Sequence, residues 1–359
     1  MNTGSSWEKN IRKVTPYVAG EQPKGKGIIK LNTNECPYPP APGVETVLKE
    51  FNGKKLRLYP DMDAGKLTDA LARYYGKRPE QIFIGVGSDD VLALSFMTFF
   101  NGEKPVLFPD ITYSFYDVWA EVFRIPWESC PLDDDFRIRK EDYLKPNGGI
   151  IIPNPNAPTG ILEPICVLEE IVAANPESIV IIDEAYVDFG GESIMPLVEK
   201  YENLMVVQTF SKSRAMAGMR IGFAVANEKL IRYLKDVKFS FNSYTMNMPA
   251  IEAGTAAVKD DAYFKEIIRK IIKTREWTKK QLSGLGFHFT DAKSNFLFVT
   301  HAYIPAEEIY HALKKANIYV RYWRKPRIDN YLRITIGTDE QMEKLVEFLT
   351  SYIKERKND

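Results

Sequence analysis

Short, uninterrupted apolar runs that end at Gly-, Pro-, Asn- or Asp-containing loops constrain the fold of this chain most strongly. Five such runs occupy residues 82–86, 105–108, 149–152, 179–182 and 204–207. Continuous apolar runs are typical of parallel strands that are buried on both faces. Segments with helical periodicity lie between or before several of them, at residues 44–51, 64–75, 89–100 and 113–123. The alternation predicts an α/β fold, with a mostly parallel sheet covered by helices.

The pattern changes after about residue 240. A long amphipathic helix rich in Lys and Arg is predicted at residues 261–285, and a closing helix at 340–354. Short strands are predicted between them, at 296–299, 318–321 and 331–336. We therefore expect an N-terminal arm (1–39), a large α/β domain (40–258) and a smaller α+β C-terminal domain (259–359).

Composition excludes several classes of protein. The 48 Lys and Arg residues balance 48 Asp and Glu residues, which argues against a nucleic-acid partner. The three Cys residues contain no CxxC spacing, and the three His residues lack ligand spacings, so we expect neither a disulfide framework nor a metal site. Residues 1–13 are polar, unlike a signal peptide, and the longest apolar stretch, 91–100, is half the length of a membrane span of about 20 residues. We expect a soluble, cytoplasmic protein.

The loop Gly85-Val86-Gly87-Ser88-Asp89-Asp90 lies between a predicted strand and a predicted helix. Free backbone N–H groups at such a helix start form an anion site. As a dinucleotide-binding fingerprint the loop is incomplete, since Asp90 replaces the third Gly, although Asp110 lies 25 residues beyond Gly85, where a ribose-binding acid would be expected. A nicotinamide enzyme and a simple helix N-cap at Asp89 both remain open at this point.

Later strand ends carry a more specific series. Asp183 closes one apolar run, Tyr186 follows three residues later, Lys212 lies 29 residues after Asp183, and Arg220 lies eight residues after Lys212. Ligands of open α/β sheets bind beyond the carboxyl ends of the strands. A Lys at a strand end favours a Schiff-base role, in which partial burial lowers its pKa. The alternative, an ordinary surface Lys, does not explain the whole series.

These residues resemble the pyridoxal-phosphate-dependent aminotransferases of the aspartate aminotransferase fold, along nearly the whole chain. Ser211-Lys212 with Arg220 is similar to the cofactor-lysine signature of that family. Within it, the resemblance is closest to the histidinol-phosphate subfamily. The segments that carry this similarity are 31–35 (LNTNE), 59–61 (YPD), 87–90 (GSDD), 112–116 (TYSFY) and 332–338 (LRITIGT).

The resemblance implies a role for each cofactor-facing residue. Lys212 would bind pyridoxal 5'-phosphate covalently and then move a proton as general base and acid. Asp183 would pair with the pyridinium nitrogen, Tyr186 would donate to the phenolate oxygen, and Tyr113 would stack on the ring.

The cofactor phosphate would be bound by the backbone N–H groups of Ser88 and Asp89, the Ser211 hydroxyl and the Arg220 guanidinium. Tyr59 would reach the phosphate in the neighbouring subunit, which implies a homodimer with shared sites. The chain departs from the family at Ala157, because relatives commonly have Asn before Pro-Thr-Gly, where it bonds the phenolate oxygen. Asn156 or a water is the candidate replacement.

For the substrate, the resemblance implies that two Arg residues and an arm Tyr bind the anionic groups. Arg321, Arg333 and Tyr17 match those positions, Asn34 belongs to the same site, and Arg324 competes with Arg321. Residues 321–333 contain five basic residues and one acid, which is also compatible with an ordinary surface patch. Arg suits a phosphate better than Lys does, because its planar fork binds two oxygens at once.

The implied function is transamination of L-histidinol phosphate and 2-oxoglutarate to imidazole acetol phosphate and glutamate, in histidine biosynthesis. An aromatic or broad-specificity aminotransferase and a threonine-phosphate decarboxylase would share Lys212, Asp183 and Arg220. A regulator built on an inactive aminotransferase domain would need a DNA-binding segment, for which we expect no room before Asn32. A nicotinamide dehydrogenase would leave the Lys, Asp and Tyr series unexplained.

Overall fold

The computed structural model describes residues 6–18 and 20–358 of the chain. Residues 1–5, which belong to the predicted arm and to the polar segment 1–13, lie outside the described residues, as do Ala19 and Asp359. In the described part of the chain, no helix is both long enough and apolar enough to cross a membrane.

Strands and helices alternate along most of the chain. The strands are β1 (Ile29–Lys30), β2 (Ile82–Gly85), β3 (Val106–Pro109), β4 (Trp127–Cys130), β5 (Gly149–Pro153), β6 (Val180–Asp183), β7 (Leu204–Thr209), β8 (Gly222–Ala226), β9 (Phe287–Phe289), β10 (Phe296–His301), β11 (Ile318–Tyr319), β12 (Arg321–Tyr322) and β13 (Leu332–Thr335). The α-helices are α1 (Pro42–Glu50), α2 (Gly65–Tyr75), α3 (Ser88–Phe99), α4 (Tyr116–Phe123), α5 (Ile165–Ala174), α6 (Glu228–Phe241), α7 (Met248–Lys259), α8 (Asp261–Gly284), α9 (Ala306–Lys315) and α10 (Asp339–Asn358).

The large sheet has the strand order β2-β8-β7-β6-β5-β3-β4. Every strand pair in it is parallel except the two made by β8, which runs antiparallel to β2 and β7. All residues of β5, β6 and β7 are buried, which confirms the prediction of a mostly parallel sheet covered by helices. Helices cover both faces because parallel strands need crossover connections.

Two strands of this sheet were not predicted, and each has a physical reason. β4 is an edge strand whose first three residues are exposed, so it lacks an apolar run. β8 contains Gly222, Ala224 and Ala226, small residues with weak strand propensity. Its burial between β2 and β7 stabilises it as a strand nonetheless.

The second sheet is antiparallel, with the order β12-β13-β10-β9, and it confirms the smaller α+β unit. The predicted single strand 318–321 is wrong in detail. β11 pairs with β1 of the arm, whereas β12 pairs with β13, so the segment divides at Val320 between two sheets. The domain boundaries at residues 40 and 259 stay a prediction.

Arg275 of α8 connects the two larger parts of the chain. Its guanidinium is buried and donates from Nη1 to the carbonyl oxygens of Phe189 (2.8 Å) and Ser294 (2.9 Å). Phe189 follows β6 of the large sheet, and Ser294 precedes β10 of the small sheet. Such hydrogen bonds from a buried charge are strong, so they help to place the small sheet beside the ends of β6 and β7.

Candidate active site

Two adjoining cavities open at the carboxyl ends of β5, β6 and β7. The inner cavity has a volume of about 190 Å³ and is lined by residues that include Asp183 and Thr209, the last residues of β6 and β7. The outer cavity has a volume of about 460 Å³ and extends toward the arm and the small sheet. The two share one wall, formed by Thr33, Tyr113, Ala157, Tyr186 and Lys212.

Lys212 lies three residues beyond the end of β7, in this shared wall. Its side chain is half-buried, with Nζ 3.5 Å from the carbonyl oxygen of Thr33 and 5.8 Å from the centroid of the Tyr186 ring. The alternative of an ordinary surface Lys is therefore wrong. The Lys212 side chain lines both cavities.

Asp183 is buried in the inner cavity, and both of its carboxylate oxygens accept hydrogen bonds. The Tyr116 hydroxyl donates to Oδ2 at 2.9 Å, and the Ala185 N–H donates to Oδ1 at 3.2 Å. Burial raises the pKa of Asp183 to about 6, while these two hydrogen bonds act in the opposite direction. Sequence reasoning missed Tyr116, although it ends the segment TYSFY that carried part of the resemblance.

The opposite end of the inner cavity is suited to an anion. Ser88 and Asp89 begin α3, whose N-cap residue is Gly87 and carries no side-chain cap, so the first N–H groups of the helix lack helical acceptors. Asp89 is therefore not the N-cap. Arg220 Nη1 lies 3.4 Å from the Ser211 hydroxyl, and its Nη2 lies 3.3 Å from the Asp89 carboxylate.

Two glycines allow this close packing. Gly87 has φ of 87°, and a Cβ there would lie 2.5 Å from Nη2 of Arg220. A Cβ on Gly222 of β8 would lie 2.2 Å from the backbone nitrogen of Ser88. Larger residues would displace the helix start or the guanidinium.

Tyr113 and Tyr186 belong to the wall that the two cavities share. The Tyr113 hydroxyl donates to Oδ1 of Asp89 at 2.8 Å, and burial beside that carboxylate raises the pKa of Tyr113 far above its ordinary value. The Tyr186 hydroxyl accepts a hydrogen bond from Nδ2 of Asn34 at 2.9 Å. Asn34 also lines the outer cavity.

Arg333 brings a half-buried positive charge to the outer cavity. Its Nη2 donates to the carbonyl oxygen of Asn32 at 3.0 Å, and its guanidinium lies 5.3 Å from the Phe296 ring centroid and 5.2 Å from that of Trp323. Burial lowers the pKa of Arg333 from its ordinary value. Its Nε is buried and has no hydrogen-bond partner among the described residues, so the guanidinium retains unused donor capacity.

Arg321 and Tyr17 complete the outer cavity. Arg321 Nη2 donates to the carbonyl oxygen of Val18 at 3.2 Å, and its guanidinium lies 5.3 Å from the Trp323 ring centroid. Tyr17 stacks on Phe115 with ring centroids 4.2 Å apart. Trp323 thus lies against both Arg residues, a feature that sequence reasoning did not single out.

Arg324, the competitor of Arg321, faces away. Its side chain is exposed and forms an ion pair with Glu307, with Nε 2.9 Å from the carboxylate. It lines neither cavity. The structure therefore places Arg321, and not Arg324, beside Arg333.

Asn156 and Tyr59 are the two predicted site residues that the structure does not bring to the cavities. The Asn156 amide accepts from the Thr112 hydroxyl at 3.0 Å and donates to the Ile111 carbonyl at 2.9 Å, so its hydrogen bonds are used within the loops. Ala157 lines both cavities instead. Tyr59 is 79% exposed and stacks on Tyr244, with ring centroids 4.6 Å apart.

Comparison with known proteins agrees with this arrangement. The family model "Aminotransferase class I and II" matches residues 26–349. A histidinol-phosphate aminotransferase of Lactococcus lactis subsp. lactis is 53% identical over 349 residues, which are 97% of each chain. A histidinol-phosphate aminotransferase of Brachyspira hyodysenteriae is 52% identical over 344 residues, 96% of this chain and 97% of that protein.

A solved structure supports the same fold. The histidinol-phosphate aminotransferase of Sinorhizobium meliloti, determined in complex with pyridoxal-5'-phosphate, superposes with a TM-score of 0.83 at 23% identity, covering 91% of each chain. At that identity the likeness shows the fold alone, and the family follows from the sequence relatives. The chain belongs to the class I and II aminotransferases and, within them, to the histidinol-phosphate aminotransferase family.

Proposed function

We propose that this enzyme transfers an amino group from L-histidinol phosphate to 2-oxoglutarate, forming imidazole acetol phosphate and glutamate, as a step of histidine biosynthesis. The observation that carries the proposal is the pair Arg321 and Arg333 in one cavity that adjoins Lys212. Two guanidinium groups can bind either a phosphate ester or a carboxylate. One site can therefore accept both amino-group partners in turn.

We propose pyridoxal 5'-phosphate as the cofactor of the inner cavity. The residues present fit that group: a buried carboxylate lies at one end, and Arg220, Ser211 and the uncapped start of α3 lie at the other. Gly87 lets Arg220 pack closely against the start of α3, because a Cβ there would lie 2.5 Å from its Nη2. When bound, the cofactor supplies an electron sink for the negative charge that develops at the substrate α-carbon.

The amine of Lys212 would hold the cofactor covalently and, once released, would carry the proton to and from the substrate carbon. Its position in the wall between the two cavities supports both roles. Asp183 would keep the ring nitrogen protonated, because a buried carboxylate favours a neighbouring positive charge. Tyr186 would donate to the phenolate oxygen, and Tyr113 would contact the ring face.

For the substrate, Arg333 would supply one guanidinium, Arg321 a second and Tyr17 a neutral hydroxyl, since all three residues line the outer cavity. Asn34 would contribute to the same site. Its side-chain amide bonds Tyr186, so its effect on the substrate would act partly through that Tyr.

We propose a homodimer with shared sites. Tyr59 belongs to a group of exposed large apolar side chains, in which Leu56 is 62% exposed, Leu58 52% and Phe241 69%. Several exposed apolar side chains in one short segment, as at Leu56, Leu58 and Tyr59, favour an interface. In the dimer, Tyr59 would contribute its hydroxyl to the cofactor phosphate of the partner subunit.

We propose a cytoplasmic location. All three Cys residues are free thiols, including the exposed Cys166. An exposed thiol is typical of proteins in a reducing compartment.

The test of the proposed reaction is a comparison of amino donors. Purified enzyme reconstituted with pyridoxal phosphate is assayed with histidinol phosphate, phenylalanine, tyrosine and threonine phosphate, with 2-oxoglutarate as acceptor. We expect kcat/KM to be at least about 100-fold higher for histidinol phosphate than for the aromatic amino acids, because two Arg residues would bind a doubly charged phosphate more strongly than a singly charged carboxylate. Comparable or higher values for phenylalanine or tyrosine would assign a broader aromatic aminotransferase, and release of carbon dioxide from threonine phosphate would assign the decarboxylase.

A further inference from the structure

A chain of hydrogen bonds connects the small sheet, the arm and the large sheet beside Lys212. We infer that Thr335 and Asn34 are positioning residues that orient the Tyr186 hydroxyl, so that its proton is donated into the inner cavity, where the cofactor phenolate oxygen would accept it. The inference rests on the proposed cofactor. It assigns to Asn34 and Thr335 a role that acts through Tyr186.

The backbone of Asn34 is held on both sides. Its N–H donates to the Thr335 hydroxyl oxygen at 3.0 Å, and its carbonyl oxygen accepts from the Asn295 amide at 3.0 Å. Asn34 is 1% exposed and has φ of 55°, a left-handed conformation that Asn tolerates better than most residues. The side chain therefore starts from a fixed position.

The orientation of the Asn34 amide follows from Thr335. The Thr335 hydroxyl donates to Oδ1 of Asn34 at 3.0 Å, which leaves Nδ2 facing the Tyr186 oxygen at 2.9 Å. In the reversed orientation, the amide NH2 would face an oxygen that already accepts the Asn34 N–H, and the Thr335 proton would lose its acceptor. Thr335 is 3% exposed, so that loss would cost the desolvation of a buried donor.

The direction of the Tyr186 proton follows in turn. An Asn NH2 group only donates, so the Tyr186 oxygen must be the acceptor of that bond, and its own proton remains available. The ring is held edge-on by Phe296, with centroids 5.1 Å apart at 89°. Tyr186 lines the inner cavity, where that proton can be donated.

This control of direction matters more here because of Ala157. That residue lines the inner cavity, and its methyl group donates no hydrogen bond. The Asn156 NH2 group already donates to the Ile111 carbonyl and to the Thr159 hydroxyl. A correctly oriented Tyr186 hydroxyl therefore has to supply neutral hydrogen bonding to the phenolate oxygen on this side of the site.

The consequence is measurable without substrate. A hydrogen-bond donor stabilises the negative charge of the phenolate oxygen, which weakens the attraction between that oxygen and the proton on the lysine nitrogen. The pH at which the visible absorption band of the bound cofactor changes is therefore lower. The charged groups that line the inner cavity are Glu35, Asp89, Asp183, Lys212 and Arg220, and Arg333 lines the adjoining outer cavity. They are identical in all the variants below.

The experiment is a pH titration of that absorption band in holoenzyme reconstituted with pyridoxal phosphate. Tyr186→Phe should raise the midpoint by about one pH unit, the size of one hydrogen bond to a charged group. Thr335→Val, which keeps the shape and removes the hydroxyl, should raise it in the same direction by about half a unit or more. Thr335→Ser keeps the hydroxyl and should leave the midpoint unchanged.

A double-variant cycle separates orientation from general disturbance. If Thr335 acts through the Tyr186 hydroxyl, Thr335→Val should produce no further shift in the Tyr186→Phe background. Asn34→Asp provides a second route, because the introduced carboxylate would accept the Tyr186 proton. Asn34→Asp should raise the midpoint of the pH titration more when the Tyr186 hydroxyl is present than in the Tyr186→Phe background.

Equal shifts in both backgrounds, or an unchanged midpoint in Thr335→Val, would overturn the inference. If Thr335→Val does not fold, the Asn34→Asp comparison decides by the same criterion. A different substrate preference would leave the titration intact and would contradict only the proposed reaction. A wild-type protein that develops no visible band with pyridoxal phosphate would refute the proposed cofactor, and the inference with it.

Discussion

The Tyr116 hydroxyl donates a hydrogen bond to Oδ2 of Asp183 across 2.9 Å, inside the core of the large domain. Together with the Ala185 N–H on Oδ1, this bond holds both oxygens of a carboxylate whose pKa burial raises to about 6. Two protein donors thus hold the Asp183 carboxylate in one orientation. Its charge is available at neutral pH and is lost in mildly acidic solution.

Cofactor affinity should follow that titration. Below pH of about 6, Asp183 in the cofactor-free protein takes up a proton, and the negative charge that would pair with the ring nitrogen is lost. We expect the affinity for pyridoxal phosphate to fall up to about tenfold per pH unit below that value. Asp183→Asn should bind pyridoxal phosphate more weakly at neutral pH. Its affinity should also lack the pH dependence that protonation of Asp183 causes.

Fluorescence titration with pyridoxal phosphate, between about pH 5 and pH 8, measures the cofactor affinity of the wild type and of Asp183→Asn. Titration of the cofactor phosphate affects both proteins alike, so the informative quantity is the ratio of their affinities. A ratio that stays constant over this range would contradict the assigned role.

Tyr116→Phe should shift the pH dependence of the cofactor affinity. The hydrogen bond from Tyr116 favours the ionised form of Asp183, so its removal should raise the pKa of Asp183 further. The onset of affinity loss should then move to higher pH by about one unit. Tyr201→Phe is the matched control, because the Tyr201 hydroxyl bonds Glu169, far from this cavity. An unchanged onset in Tyr116→Phe would show that the carboxylate does not depend on this donor.

Lys212→Ala should abolish the covalent link and the proton transfer together. We expect the transamination rate to fall by at least about a thousandfold, as is typical when a positioned nucleophile and general base is removed. Borohydride reduction followed by peptide mass spectrometry should place the pyridoxyl label on Lys212 in the wild type. Lys200→Ala, which removes a Lys that is 61% exposed and paired with Glu169, should keep both the rate and the label. A label on another residue would refute the proposed mechanism.

Arg333→Ala should weaken both half-reactions. Its half-buried guanidinium lines the outer cavity, so the phosphate of one substrate and the carboxylate of the other would both lose a charged donor. We expect KM to rise about 10- to 100-fold for histidinol phosphate and for glutamate, the size of a charged hydrogen-bonded contact.

Two further variants test the geometry of that contact. Arg333→Lys should recover only part of the loss, because the planar fork is missing. Arg324→Ala should leave both KM values unchanged, since Arg324 is paired with Glu307 at the surface. Steady-state kinetics with each amino donor decide the matter, and an effect of Arg324→Ala larger than that of Arg333→Ala would reverse the assignment.

Tyr59 should act in the site of the partner subunit. Tyr59→Ala should weaken cofactor binding by about tenfold, as one lost hydrogen bond to a phosphate would. Hybrid dimers that combine a Tyr59→Ala subunit with a Lys212→Ala subunit provide the sharper measurement. If sites are shared, Tyr59 of the Lys212→Ala subunit completes the site that contains Lys212 of the Tyr59→Ala subunit. The hybrid therefore has one complete site, which neither parent homodimer has.

If sites are not shared, the hybrid should be no more active than a mixture of the two parent homodimers. Tyr303→Ala is the control for loss of an exposed Tyr, since Tyr303 is 88% exposed in the small domain. It should bind the cofactor as the wild type does.

The sequence by itself determined the parallel strands and the positions of Asp183 and Lys212 at their ends. These features depend on local patterns: a buried strand has to be apolar along its whole length, and the loop after it has to carry the chemistry. The edge strand β4 and the small-residue strand β8 lacked that pattern, because their place in the sheet depends on their neighbours.

Only the tertiary structure decided which distant residues meet. Asn34, Tyr186 and Thr335 are separated by about 150 residues at each step along the chain, yet they form one chain of hydrogen bonds. Arg321 and Arg324 are three residues apart with the same chemistry, yet Arg321 lines the outer cavity whereas Arg324 pairs with Glu307 on α9. Side-chain partners are determined by the packing of whole elements, and that packing is not encoded in any short segment of the sequence.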